Sequence, residues 1–396
     1  MTHVANVPLG QAADFIRGIT FKPVDLVDPF SDESVVCMRT KNIQIDLDER
    51  DLIAVPKRFV PREDKYLREG DILISSANSW NLVGKCCYVP RLRYEATAGG
   101  FISILRAKPG YDPRFLYHWL NSPRVQHQAR HCGRQTTNIA NLDVNRFLNL
   151  HVPDQDLSQQ RLAARVLDKA YDICLKTAQA TKLANKFLRA VFLDMFGDPQ
   201  TNSKRLPMAP IRQLGRVVTG NTPPRNRPDY YGRGIEWVKS DNLGAADHYV
   251  TQAAEQLSTQ GRAVARLVPI GSTLVTCIAG SSNSIGNAAI ADREVAFNQQ
   301  INAVIPAREV DPAFLYCQFL VGKALIQQAS TNSMKGMVSK SKFEEIMFLN
   351  PPFPDQSRFG RVFMHVRGHL QYLRLASDES KKMFACLSQR AFAGEL

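Results

Sequence analysis

The chain lacks most of what marks an enzyme, a membrane protein or a secreted scaffold. No apolar run approaches the roughly 18 residues of a membrane span, so a membrane partner is not expected. Met1 to Gly10 has neither a basic start nor an apolar stretch of signal-peptide length. The eight cysteines are scattered without regular spacing, which suits reduced thiols in a cytoplasm and excludes a disulfide framework. Cys86-Cys87 reads as a pair of buried small residues on a strand. No Walker loop is present, so no nucleotide motor is expected, and no spacing of Ser, His and Asp singles out a triad.

Two metal-like spacings, His127-x-x-x-His131-Cys132 and His365-x-x-x-His369, lack both a Glu after the first His and a Cys-x-x-Cys to complete a site. They read as structural or DNA-facing histidines, and no metal is expected. Asn350-Pro351-Pro352-Phe353 fits the short motif with which adenine methyltransferases hold the target amine. No Gly-x-Gly turn to hold S-adenosylmethionine follows any strand, so the motif reads as a strand running into a helix cap.

Proline is absent from two long stretches, and both carry a helical face. Between Leu157 and Phe196 the positions Leu162, Val166, Ala170, Ile173, Thr177, Ala180, Ala184, Phe187 and Val191 step mostly by three and four. Between Ser357 and Leu396, Phe363, Val366, Leu370, Leu373, Ser377, Ser380, Phe384, Leu387 and Ala391 do the same without a break. At 1.5 Å per residue each helix could extend roughly 60 Å, too long for a compact domain. A narrow apolar seam on a long helix wants another helix, and the candidate for each is the other.

The segments before these helices also repeat. Pro8-Leu9-Gly10-Gln11 returns as Pro210-Ile211-Arg212-Gln213, and Gly18-Ile19-Thr20 as Gly220-Asn221-Thr222. Gly70-Asp71-Ile72-Leu73 returns as Gly271-Ser272-Thr273-Leu274, Asp112-Pro113 as Asp311-Pro312, and Pro153-Asp154-Gln155 as Pro354-Asp355-Gln356. All fall at an offset of about 200 residues, so the order is domain, helix, domain, helix: 1–156, 157–196, 197–356 with a linker from Gly197 to Pro210, and 357–396.

Each copy reads as a mixed α/β domain. In the first, strands are expected at Val35–Met38, Ile72–Ser75, Lys85–Val89 and Phe101–Leu105, a helix from Asp112 to about Gln126, and a strand from Phe147 to Val152. The second repeats the order with strands at Glu236–Lys239, Thr273–Ile278, Ala288–Ala291 and Ala303–Ile305, a helix from Asp311 to about Gln328, and a strand at Ile346–Asn350.

The net charge of +13 points to a polyanionic partner. Each helical segment holds seven Lys or Arg against three Asp or Glu, so the helices carry +8 of that +13. Polar loops also stand at equivalent places in the two copies. Thr219, Asn221, Thr222 and Arg225 face Thr20 and Lys22, while Lys239, Ser240 and Asn242 face Thr40, Lys41 and Asn42. Ser281 and Asn283 face Asn78, Ser79 and Trp80, and Lys335 and Lys340 face Arg134, Gln135, Thr137 and Asn138. Asn, Gln, Arg and Lys can bond purine edges in the major groove, while Ser, Thr and glycine amides reach phosphates.

With Val218-Thr219-Gly220-Asn221-Thr222-Pro223, Ile235-Glu236-Trp237-Val238, Pro269-Ile270-Gly271-Ser272-Thr273-Leu274 and Phe297-Asn298-Gln299-Gln300-Ile301, the second copy resembles a target recognition domain of the type I restriction-modification specificity subunit. The terminal Gln389-Arg390-Ala391-Phe392-Ala393-Gly394-Glu395-Leu396 is similar to the family's usual ending. The likeness spans the chain, more loosely before Leu157, and adds Asn298 and Gln299 to the candidate DNA-binding residues. The first copy departs by having Gly99-Gly100 in place of that Asn-Gln pair and Arg17 for the Thr before Gly18.

The resemblance implies an α/β fold of two target recognition domains, each reading half of a split target on double-stranded DNA, with the long helices packed as an antiparallel coiled-coil spacer. It also implies two modification subunits as partners, with room for two restriction subunits. S-adenosylmethionine, ATP and Mg2+ would then belong to those partners, and this chain would be a non-catalytic cytoplasmic reader without a cofactor. Two other readings are an adaptor whose domains bind proteins, and a methyltransferase using Asn350 to Phe353.

Overall fold

The computed structural model describes residues 4–135, 139–245, 247–331 and 336–396, with Gln135 described by its backbone. It divides into two compact units, residues 1–175 with 378–396 and residues 176–377. Each unit therefore holds one α/β domain and a stretch of both long helices.

In the first unit a four-stranded antiparallel sheet has the order Ala13–Arg17, Ile102–Ala107, Ile72–Ser75, Cys86–Tyr88. The second repeats it with Gly215–Thr219, Ile301–Pro306, Thr273–Thr276, Ala288–Ile290. A smaller sheet follows the same logic in both. Ser34–Met38 pairs in parallel with Ala96–Ala98 and antiparallel with Ile53–Pro56, as Tyr231–Val238 pairs with Val295–Phe297 and Gln256–Leu257. The central strands are buried on both faces, which explains their continuous apolar runs. Cys86 and Cys87 are buried on their strand as expected, and burial pushes the Cys86 thiol up to about 12.

Several boundaries differ from the sequence expectation, each for a local reason. The helix expected from Asp112 to Gln126 is two helices, Pro113–Asn121 and Pro123–His131. Pro123 lacks an amide hydrogen and forces Ser122 into extended backbone, so the first helix must end there. Its counterpart also breaks, at Gly322, into Pro312–Val321 and Lys323–Gln328. The expected strand Phe147–Val152 is a short helix, Val144–Leu148, capped by Asp143, followed by a strand, His151–Pro153, that pairs with Asn6–Pro8. Pro153 sits inside that strand at its edge, where a missing donor is tolerated. The expected strand Thr273–Ile278 stops at Thr276, and a separate short one, Ile278–Ala279, pairs with Gly336–Met337.

The long helices run Leu157–Phe196 and Phe353–Ala393. Asp156 caps the first, its Oδ1 accepting from the Ser158 and Gln159 amides at 2.9 and 3.1 Å. In the first unit Ala163, Ala164 and Leu167 share a core with Ala391, and Phe115 packs edge-on against Phe392 at 5.6 Å. In the second, Leu188, Phe192 and Phe196 share a core with Phe359, Phe363 and Phe314. Early residues of one helix thus meet late residues of the other in each unit, the antiparallel arrangement. The face expected on the second helix is the buried one. On the first this holds in part: Ala170 is buried and Ala184 and Val191 pack against the core, whereas Leu162, Ile173 and Phe187 are exposed and Ala163, Leu167, Leu188 and Phe192 point inward. Gln160, fully buried in the first turn, accepts from the Asp112 amide at 2.8 Å and ties the helix to that backbone.

Candidate nucleic-acid interface

The loops singled out from the sequence converge where the strand Gly215–Thr219 leaves the larger sheet. Gly220 makes this crossing possible. A Cβ there would lie 2.2 Å from Asn298 O, so only glycine lets the chain pass, and its amide bonds Ile301 O at 3.1 Å. Gly18 does the same in the first domain, 2.2 Å from Gly99 O and bonded to Ile102 O at 3.1 Å.

Beyond Gly220, Asn221 stitches three segments together. Its Nδ2 donates to Val264 O at 2.9 Å, its Oδ1 accepts from the Arg266 amide at 2.8 Å, and its carbonyl accepts from Trp237 Nε1 at 3.2 Å. Thr219 donates to Asn302 Oδ1 at 2.7 Å, and Thr222 donates to the Gln299 side chain. Trp237, buried, carries cations on its ring: the Arg225 guanidinium lies 5.0 Å from the centroid and Lys239 Nζ also 5.0 Å. Arg225 stacks as well on Tyr231 at 4.4 Å. Between the two cations stands Glu255, held below the usual carboxylate value by hydrogen bonds from Lys239 and Arg225.

The Asn298–Gln300 turn ties in the remaining loops. Gln300 N bonds Asn298 Oδ1 at 3.1 Å, Ser240 Oγ reaches Gln300 Oε1 at 3.4 Å, and the Cys277 and Ile278 amides donate to Gln300 O at 2.8 and 3.1 Å. Ser281 and Asn283 lie on the exposed loop beyond Ile278, where Asn283 O accepts from Lys323 Nζ at 2.6 Å. Lys340 is not part of this cluster. It pairs with Glu344 at 3.4 Å and lines a depression of about 560 Å³ with Arg212 and Arg216, at the Gly215–Pro306 end of the sheet rather than the Thr219–Asn302 end.

The first domain repeats the plan with different side chains. Thr20 and Lys22 are exposed beyond Gly18, and Thr40–Asn42 forms a single turn. Arg39 and Lys41 both reach Asp51. Asn42 and its counterpart Asn242 are buried and fully engaged. Their Oδ1 atoms accept from the Arg39 and Lys239 amides at 2.8 and 3.0 Å, and their Nδ2 atoms bond Asp48 O and Gln252 O. These asparagines shape the loops, and Asn298 is buried as well.

The strand Gly133–Gln135 pairs with Ala140–Leu142, which pairs in turn with Ala77–Asn78, so Asn78, Arg134 and Gln135 lie on one small sheet. Asn78 Oδ1 accepts from the Ser79 amide at 2.8 Å, Arg134 pairs with Asp143 at 2.6 Å, and Trp80 packs edge-on against His131 at 5.8 Å. Thr137, Asn138 and Lys335 lie outside the described residues.

Sequence reasoning missed Glu255 and Asp51, and met Gln300 only inside the Phe297–Ile301 motif. Glu255 and Asp51 stand 16 and 12 positions beyond Lys239 and Arg39, separations that no local spacing marks. Tyr231 left a signal, sharing one strand with Trp237 at an even separation.

The decoys resolve simply. Asn350 follows the strand Met347–Leu349, its amide bonded to Pro207 O at 2.7 Å, and Phe353 starts the long helix. His131 Nδ1 lies 2.8 Å from His127 O, and His365 and His369 touch through their Nε2 atoms at 3.3 Å. Among the described residues no group of three or more His, Cys, Asp or Glu converges as a metal site.

The family described as type I restriction modification DNA specificity domain has a model that matches residues 208–365, the stretch that contains this cluster. Residues 208–365 belong to that family. The chain is 28% identical over 165 residues to the type I restriction enzyme StySPI specificity subunit of Salmonella potsdam, covering 41% of this chain and 35% of that one. It is 27% identical over 162 residues to the EcoKI specificity subunit of Escherichia coli K12, covering 41% and 34%. The matched part thus spans about a third of the length of these curated relatives. The fold extends over the whole chain. The S subunit of a type I restriction-modification system from M. genitalium superposes with a TM-score of 0.60 at 12% identity, covering 98% of this chain and 96% of its own. A chain from work on complex assembly and conformational transition of the type I R-M system gives 0.52 at 16%, covering 100% and 99%. Among the described residues no helix is long and apolar enough to cross a membrane.

Proposed function

We propose that this chain is the DNA sequence-recognition subunit of a type I restriction-modification complex. Each domain would read one half of a bipartite target on double-stranded DNA, and the long helices would set the gap and dock two modification subunits. The observation that carries the reading is the duplication of the loop cluster. The specificity domain and the domain before it place cations, hydroxyls and amides at the equivalent end of their own four-stranded sheets, around Gly220 and Gly18. Two copies of one reader with different side chains suit a target of two different halves. Methyl transfer, with its S-adenosylmethionine, and any cleavage, with its ATP and Mg2+, would lie in the partner subunits, and restriction subunits would join the same assembly in the cytoplasm. The domain boundaries would lie at 156 and 197, a reading supported by the span of the first long helix, Leu157–Phe196.

The test is to map methylated adenines in the host genome with the chain present, deleted, and carrying a foreign domain in place of residues 1–156. The expected result is a split motif with a fixed gap that vanishes on deletion and changes in one half on the swap. An unchanged motif, or change in both halves, overturns the proposal.

A further inference from the structure

In each domain one carboxylate bridges two cations with its two separate oxygens. Glu255 Oε2 takes Arg225 Nη1 at 2.9 Å while Oε1 takes Lys239 Nζ. In the first domain Asp51 Oδ1 takes Arg39 Nη2 at 3.1 Å while Oδ2 takes Lys41 Nζ. The acid and one cation of each pair are equivalently placed, while the second cation comes from the loop after Gly220 in one domain and from the turn Thr40–Asn42 in the other. Lys239 and Arg39 end the strands Tyr231–Val238 and Ser34–Met38, and each acid stands just before the antiparallel partner strand. The two acids are held by their backbones: Glu255 O accepts from the Trp237 amide at 3.0 Å, and Asp51 O from Asn42 Nδ2 at 3.2 Å.

This geometry is that of a phosphate held through two non-bridging oxygens by an arginine and a lysine. In the second domain aromatic rings add to the hold of the acid, since Trp237 and Tyr231 carry Arg225 and Trp237 carries Lys239. The sites are open to solvent, with the Arg225 side chain 55% exposed and Asp51 66%. Each bears two positive charges against one negative, so an excess remains for a polyanion.

We propose that Glu255 and Asp51 are internal stand-ins for DNA phosphates: they hold the paired cations in a phosphate-ready position and are displaced by the backbone of a bound duplex. The inference rests on the DNA-reading function proposed above and adds its regulation. A carboxylate in the site competes with every phosphate, so arbitrary DNA binds less tightly, and only a duplex that makes further contacts in the loops displaces it. This is specificity by opposing the wrong partner.

The experiment uses the full chain and a duplex of arbitrary sequence, with affinity read by fluorescence anisotropy across a salt series. Glu255→Gln keeps the shape and removes the charge. It is expected to tighten binding by roughly threefold to tenfold at low salt, with the gain shrinking as salt rises. In a chain already carrying Arg225→Gln and Lys239→Gln the same change is expected to do almost nothing, and Asp51→Asn is expected to behave likewise against Arg39→Gln with Lys41→Gln. No gain from Glu255→Gln, or an equal gain in the background without the cations, overturns the inference, the second result showing a general effect of net charge. Failure of the unaltered chain to bind any duplex at any salt overturns the proposed function itself, and the inference falls with it.

Discussion

Gln356 Oε1 accepts from the backbone amide of Asp311 at 3.1 Å while its Nε2 donates to Pro351 O at 2.8 Å. Gln160 repeats this in the first unit, accepting from the Asp112 amide at 2.8 Å and donating to Gln155 O at 2.7 Å. Both side chains are buried, and each locks the start of a long helix to the cap of a domain helix.

Gln160→Leu and Gln356→Leu are therefore expected to cost about 2–3 kcal/mol each, because they leave a backbone amide and carbonyl buried without partners. Urea unfolding reads this as a lower midpoint. A loss under about 0.5 kcal/mol would mean the amides are not needed to join helix and domain.

The two glycines inside the second long helix should respond with opposite signs. A Cβ at Gly368 meets nothing within 4 Å, so Gly368→Ala is expected to stabilise by about 0.5–1 kcal/mol through helix propensity. At Gly360 a Cβ would lie 2.4 Å from Asp311 Oδ2, and Gly360→Ala is expected to destabilise by about 1–2 kcal/mol despite the same propensity gain. Thermal melts of the two variants against the parent chain test the pair, and equal shifts would refute the close approach.

His248 sets a pH dependence. It is buried with Nδ1 2.8 Å from the Tyr316 hydroxyl, and its Nε2 has no partner. Burial pushes its pKa down to about 4, against an ordinary 6.5. The unfolded chain then takes up the proton first on acidification, so stability is present above pH 6.5 and falls as pH drops toward 4, by about 3 kcal/mol at most. His248→Phe should flatten the stability profile in that window. A profile that stays as steep assigns the loss to other groups.

Asp168 contributes at lower pH. Burial pushes its carboxyl up, but hydrogen bonds from His118 Nε2 at 2.7 Å and from Arg114 outweigh this and hold it below the usual 3.8. Its stabilisation is present above about pH 4 and is lost as pH falls through the lower folded value. Asp168→Asn is expected to cost about 2 kcal/mol at neutral pH, with the difference from the parent narrowing below pH 4. A constant difference across that range would argue against the ionised contact.

Local periodicity carried much of the fold. The second helix follows its apolar repeat, because Phe363, Val366, Leu370 and Ala391 are the residues that pack. The first helix was legible in part: Ala170 is buried, but Leu162 and Phe187 look like core and are exposed, and the buried face of the first turns includes Gln160, Ala163 and Ala164, which periodicity scores weakly. The loops were found through repetition, yet the roles within them were not. Asn42, Asn242 and Asn298 resemble base readers in composition but fold inward to hold the backbone. The acids that organise the exposed cations stand just before the neighbouring strand, and only the fold joins them to their partners.

Gln155 Nε2 donates to Ala391 O at 2.7 Å, across 236 positions of sequence. The core of the first unit includes Ala391, with Phe392 packed on Phe115. A ribosome making this chain thus releases the first domain long before the segment that finishes it has been synthesised. That domain must wait, part of its apolar face uncovered, until the last turns of helix emerge. A premature stop shortly after Ser377 would for this reason damage the half of the protein farthest away in the message.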